Sequence, residues 1–130
     1  MKRISLIAFI VTFALLAGAA VFGQTMHPAD QKTIAWDEAE NATSYRVLVR
    51  PAPDGEAVQV GETEQLFFAV TMPSEGSWFV GVQSVRVEND QVVGESTISW
   101  SNDPEVVAGG ETFGIIYFAP PATVGGLRVQ

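Results

Sequence analysis

The chain has 130 residues, 47% of them hydrophobic, and it carries 7 basic against 15 acidic residues, a formal net charge of −8. This acidic balance disfavours binding to the phosphate backbone of nucleic acids and to anionic lipid surfaces. Cysteine is absent, which excludes disulfides, thiolate metal sites and a cysteine nucleophile, so a domain of this size must be held together by its hydrophobic core.

The first 23 residues have the pattern of a cleavable export signal. Lys2 and Arg3 precede an uncharged, mostly apolar stretch over residues 4–22, which ends in small residues. The pattern allows cleavage after Ala20 or after Gly23. An uncleaved anchor is the alternative, because an apolar helix of this length is about long enough to cross a bilayer core. Both interpretations predict a secreted, periplasmic or cell-surface protein, with membrane contact only if the leader is retained.

Downstream of the leader, apolar and polar residues alternate over short segments, which is typical of β-strands. A polar lead-in over residues 24–31, which contains the single His27, precedes a first strand over residues 32–37. Further strands are predicted over residues 44–50, 57–60, 66–71, 78–87 and 92–100. No helical periodicity follows the leader. The pattern therefore predicts an all-β domain over residues 24–104, a single antiparallel β-sandwich of about seven strands.

Several segments together resemble the fibronectin type III domain, an immunoglobulin-like β-sandwich. Trp36 stands at the position of the family's core Trp on the second strand, and Tyr45 in ATSYRVLV stands at that of its third-strand Tyr. SWFVGVQSVR resembles the sixth strand, with Trp78 replacing the Tyr of the family's tyrosine corner, and GESTISWSND resembles the closing strand. The resemblance implies a rigid spacer or a protein-binding surface.

Large side chains on the inward faces of the predicted strands are expected to form the core, since aromatic residues dominate the packing of such domains. The predicted core residues are Trp36, Tyr45, Val47, Val49, Trp78, Val80, Val82 and Ile98. An exposed aromatic ring at Trp78, Phe79 or Trp100 would instead favour contact with a sugar or a partner.

Residues 105–130 form an apolar C-terminal tail after a break that contains Pro and Gly. Its end, PPATVGGLRVQ, resembles the linker and first strand that open a further fibronectin type III module. Three interpretations stay open: the tail folds back on the sandwich, it adds a strand to another chain, or the chain is a shortened form of a multi-module protein. The side chains expected to contact a partner are Phe113, Ile115, Tyr117 and Phe118.

Nothing in the sequence is typical of a catalytic site. The only histidine lies in the lead-in, which argues against a Ser-His-Asp triad, and no Gly-rich loop has the Lys and Ser/Thr of a phosphate site. Carboxylate pairs such as Glu62 and Glu64 are interpreted as solvated charges rather than a calcium site. We expect no enzyme activity, no cofactor and no metal site.

The expected function is therefore that of a non-catalytic exported binding or spacer module, whose partner is an extracellular or cell-envelope protein. One alternative is a carbohydrate-associating accessory module that contacts polysaccharide. Another is an inhibitor or accessory domain of a secreted enzyme. All of these rest on the family resemblance, because a fold does not by itself imply a function.

Overall fold

The computed structural model describes residues 24–130, and the predictions of a leader or an anchor lie outside this part of the chain. Nine strands and one short 3-10 turn, Ala108–Gly110, make this part all-β, as predicted. The strands are β1 (Thr25–Pro28), β2 (Gln31–Ala35), β3 (Ser44–Pro51), β4 (Val58–Thr63), β5 (Phe67–Thr71), β6 (Gly76–Glu88), β7 (Gln91–Glu95), β8 (Ser99–Trp100) and β9 (Phe113–Tyr117). Within residues 24–130, no helix has the length and apolar character needed to cross a membrane.

The strands form two sheets of unequal size. Seven strands make a large sheet in the order β1-β9-β6-β3-β4, with β7 and β8 also paired to β6, while β2 and β5 make a small antiparallel sheet. The expectation of a wholly antiparallel arrangement is wrong, because β1 runs parallel to β9. The polar lead-in over residues 24–31 supplies β1, which pairs with β9. Met26 and His27 of this strand are half-buried.

On the side of β6 away from β3, three short strands pair with it in succession. β7, β8 and β9 all pair with β6, from its C-terminal to its N-terminal end. The chain leaves the sheet after Ser101, whose N–H donates to the carbonyl of Val80 at 2.8 Å, and it returns at Phe113, whose N–H donates to the carbonyl of Ser101 at 3.0 Å. The part of the predicted tail that forms β9, Phe113–Tyr117, thus folds back, and the large sheet continues beyond residue 104.

The small sheet packs on one face of the large sheet and the core lies between them. This core contains Val47, Val49, Val70, Met72, Trp78, Val80 and Ile115, with Ile34, Trp36 and Phe68 among the partly buried residues packed against it. Of the other predicted core residues, Tyr45 is buried and Val82 is half-buried. Ile98 lies on the opposite face of the large sheet, beside Gly81.

Candidate functional site

The small sheet covers only part of the large sheet, and an open groove of about 460 Å³ remains beside it. One wall is the end of β2 and the residues that follow it, 34–37, and residues 106–108 of the loop between β8 and β9 also line the groove. The remaining lining comes from Ala39, Tyr45, Val80, Val82, Ser84, Ser96, Ser99, Trp100 and Phe113. Ligand-binding clefts have volumes of roughly 300–1,000 Å³, so the groove is large enough to accept a ligand.

Two aromatic residues that line the groove are held in place by their neighbours. The rings of Trp36 and Tyr45 lie 5.5 Å apart between centroids, at an angle of 59°. The Tyr45 hydroxyl accepts a hydrogen bond from the N–H of Ala39 at 3.0 Å, and the backbone N–H of Trp36 donates to the carbonyl of Leu66 at 3.0 Å. Because the strand and the following turn are both anchored, this wall of the groove is preformed.

The indole N–H of Trp36 is shielded from solvent and has no acceptor in the structure. An unsatisfied buried donor costs about 1–3 kcal/mol. The groove wall therefore holds one polar atom that the fold itself does not satisfy.

β2 is the strand that borders the groove, and its second edge is unpaired within residues 24–130. The carbonyl of Asp30 and the N–H of Trp36 hydrogen-bond to the β5 side, at 2.9 and 3.0 Å. Since the positions that hydrogen-bond to a neighbour alternate along an antiparallel strand, the backbone groups of Gln31, Thr33 and Ala35 point away from β5. All three residues are exposed. A row of free backbone donors and acceptors therefore lies next to the groove.

The charges near the site are mostly negative. Asp30 precedes β2, Asp37 and Glu38 follow it, and all three are exposed. Within β2 the only basic residue is Lys32. Among the residues that line the groove, Asp37 is the only charged one. The site is thus an apolar groove with hydroxyl groups and an acidic rim.

The structure separates the four tail residues that the sequence predicted to contact a partner. Phe113 lines the groove, where its ring meets that of His27 edge to face at 6.0 Å. Ile115 is 0% exposed in the core, so its side chain cannot contact a partner. Tyr117 packs against the core, and Phe118, which is 64% exposed, follows the opposite end of β9. Only Phe113 belongs to the groove.

The three aromatic residues considered for sugar contact do not present open rings. Trp78 and Phe79 are buried. Trp100 is partly exposed, but the guanidinium of Arg50 lies 4.3 Å from the centre of its ring and donates a hydrogen bond to Asn102 at 3.1 Å. The carbohydrate alternative therefore finds no stacking platform at these residues.

The lining of the groove by the loop between β8 and β9 was not predicted from the sequence. Val106 and Val107 stand in a segment that was interpreted as a break between the domain and its tail. Two adjacent aliphatic residues in an otherwise polar, Gly-containing loop were the available signal, since a loop with no packing role is usually polar.

Comparison of the chain with protein-family models, with curated proteins and with solved structures found no match. In the part of the chain that the structure describes, no group of three or more His, Asp or Glu side chains is placed to hold a metal ion. The interpretation of the site therefore rests on its own geometry.

Proposed function

We propose that this protein is a non-catalytic binding module of the immunoglobulin-like, fibronectin type III kind, which binds an extended segment of a partner protein beside β2. The observation that carries this proposal is the free edge at Gln31, Thr33 and Ala35 next to an apolar groove. In β-augmentation, backbone hydrogen bonds to an open edge provide affinity, and pockets for alternate side chains provide specificity.

The packing of the two sheets supports the fibronectin type III part of the proposal. Trp36 and Tyr45, the positions that carry the resemblance, pack against each other at one end of the space between the sheets. The indole N–H of Trp78 donates to the carbonyl of Ser74, four residues upstream, at 2.9 Å. This bond is a counterpart of the hydroxyl-to-backbone bond in a tyrosine corner.

The geometry specifies the kind of segment that fits. Side chains of an extended strand alternate between its two faces, so every second residue of the bound segment enters the groove and must be apolar. The other residues face solvent near the acidic rim, where neutral or basic side chains are favoured. A partner segment with alternating apolar and uncharged or basic residues meets both conditions.

We also propose that the module acts outside the cytoplasm and that its partner is an extracellular or cell-envelope protein. The leader pattern in residues 1–23 supports this location. The rest of the chain has five basic and fifteen acidic residues, a formal charge of −10, and such a charge keeps an exported domain soluble.

The test is selection of short random peptides, displayed on phage, on the immobilised protein. We expect the selected peptides to carry apolar residues at alternate positions. Their binding should be lost in the variant Thr33→Pro, because proline removes a backbone donor from the free edge only and is tolerated at such positions. The matched control Thr33→Val keeps the N–H and should bind normally.

Thermal unfolding of both Thr33 variants shows whether the small sheet is retained. Selection of no peptide, or of peptides that bind Thr33→Pro as well as the parent protein, would contradict the proposal and favour a spacer role.

A further inference from the structure

We propose that the segment which adds to β2 is residues 127–130 of a second copy of this chain, so that the protein assembles head to tail. This inference rests on the proposed function and names its partner. In this arrangement Leu127 and Val129 of one copy enter the groove of the next, and their backbone pairs with the free edge at Thr33.

The first support is the exposure of the two apolar side chains in the segment. Leu127 and Val129 are 91% and 97% exposed, and two side chains that are two residues apart lie on the same face of an extended chain. The N–H of Ala119 donates to the carboxylate of Glu75 at 2.7 Å. Apart from that bond, residues 119–130 make no hydrogen bond to residues 24–118. Paired in extended form with β2, the segment would therefore direct both apolar side chains to one face, and neither is covered in its own copy.

The second support is the place where the segment leaves the sheet. Tyr117, at the end of β9, pairs with Gly76, whereas the groove lies at the other end of β9, at Phe113. Pro120 and Pro121 follow, and consecutive prolines hold the backbone extended. The chain therefore leaves the sheet at the end of β9 that is remote from the groove, and the exposed Leu127 and Val129 do not occupy the groove of their own copy.

The third support is charge. Residues 119–130 contain Arg128 and no acidic residue, whereas the rest of the described chain is strongly acidic. When Leu127 and Val129 face the groove, Arg128 points outward, near the acidic rim at Asp30 and Asp37. Two acidic bodies repel each other through most of their surfaces, so an exposed segment without acidic residues is a part that a second copy can accept.

Such a contact joins two different surfaces, the segment of one copy and the edge of the next. A contact of this kind either closes into a ring, of which a reciprocal pair is the smallest, or continues as an open chain. Because one short strand carries each contact, the assembly should dissociate on dilution.

The test is sedimentation velocity of the full-length chain over a wide range of concentration. We expect association that increases with concentration. The double variant Leu127→Ser/Val129→Ser should weaken it by about tenfold or more, since two apolar side chains lose their burial. The matched control Val124→Ser changes a residue outside residues 127–130 that is also mostly exposed, at 83%, and it should leave association unchanged. Both changes are on exposed side chains, so folding is not at risk.

Thr33→Pro should weaken association as the double variant does. A synthetic peptide of residues 122–130 should inhibit the association of the parent protein by competing for the edge of β2. The inference is overturned if the chain sediments as a monomer at every concentration, or if association survives the Leu127→Ser/Val129→Ser change. In either case the proposed function still stands if displayed peptides bind in a Thr33-dependent manner. If no peptide binds either, both proposals fail.

Discussion

Trp78 donates its indole N–H to the carbonyl oxygen of Ser74 at 2.9 Å, which ties the first residues of β6 to the corner that precedes them. The ring itself is buried in the core, between the two sheets. One side chain thus fills the core and fixes the path of the chain between β5 and β6. The indole reaches its acceptor differently from the phenol of the family's tyrosine corner.

The variant Trp78→Phe should be destabilised by about 1–3 kcal/mol, because it loses this hydrogen bond and leaves part of the ring volume empty. The measurement is chemical denaturation, in which the midpoint should fall while the slope stays constant. Ser74→Ala retains the backbone acceptor and should unfold within about 0.5 kcal/mol of the parent. Equal stability of Trp78→Phe and the parent would show that the corner does not depend on the bond.

The stacking of Arg50 on Trp100 should contribute a measurable coupling energy to the stability of the domain. The guanidinium lies 4.3 Å from the ring centre, and a cation–π contact of this type is worth about 0.5–2 kcal/mol. A double-mutant cycle with Arg50→Met and Trp100→Leu measures it through the free energy of unfolding. Strict additivity of the two changes would argue against the contact.

Gly81 should not tolerate a side chain. A Cβ at this position would lie 2.7 Å from Cγ2 of Ile98 and equally close to the ring of Trp100. Gly81→Ala is expected to cost about 1–3 kcal/mol, as other overpacking changes do. Gly94→Ala is the matched control, since no atom lies within 4 Å of its added Cβ, and it should leave stability unchanged or raise it by up to about 1 kcal/mol. Thermal unfolding compares the two.

β9, which lies after residue 104, should behave as part of the folded domain. Ile115→Ala is expected to cost about 2–5 kcal/mol, because Ile115 is completely buried. Phe118→Ala, three residues later on an exposed side chain, should change the free energy of unfolding by less than about 0.5 kcal/mol. Chemical denaturation of both variants tests this, and a small effect of Ile115→Ala would mean that β9 is not required for the core.

Local patterns in the sequence were sufficient for the fold class and for the central strands. Val47 and Val49 alternate with Arg46, Leu48 and Arg50 in β3, and β3 pairs with β6, the longest strand. The polar residues between the strands predicted over 78–87 and 92–100 form a two-residue hairpin turn, in which Asn89 and Asp90 adopt φ values of 54° and 63°. Asn and Asp tolerate this left-handed conformation, so the turn could be predicted from these residues.

Only the tertiary structure decided the rest. The pairing of the polar lead-in with β9, the return of the chain to Ser101 at Phe113, and the lining of one groove by both Trp36 and Val107 all join residues far apart in the chain. Whether the edge of β2 is open depends on which strands pair elsewhere. Periodicity reports which face of a strand is buried, because burial acts on each residue locally. It carries no information about which distant strand covers that face, so the candidate site could not be predicted from it.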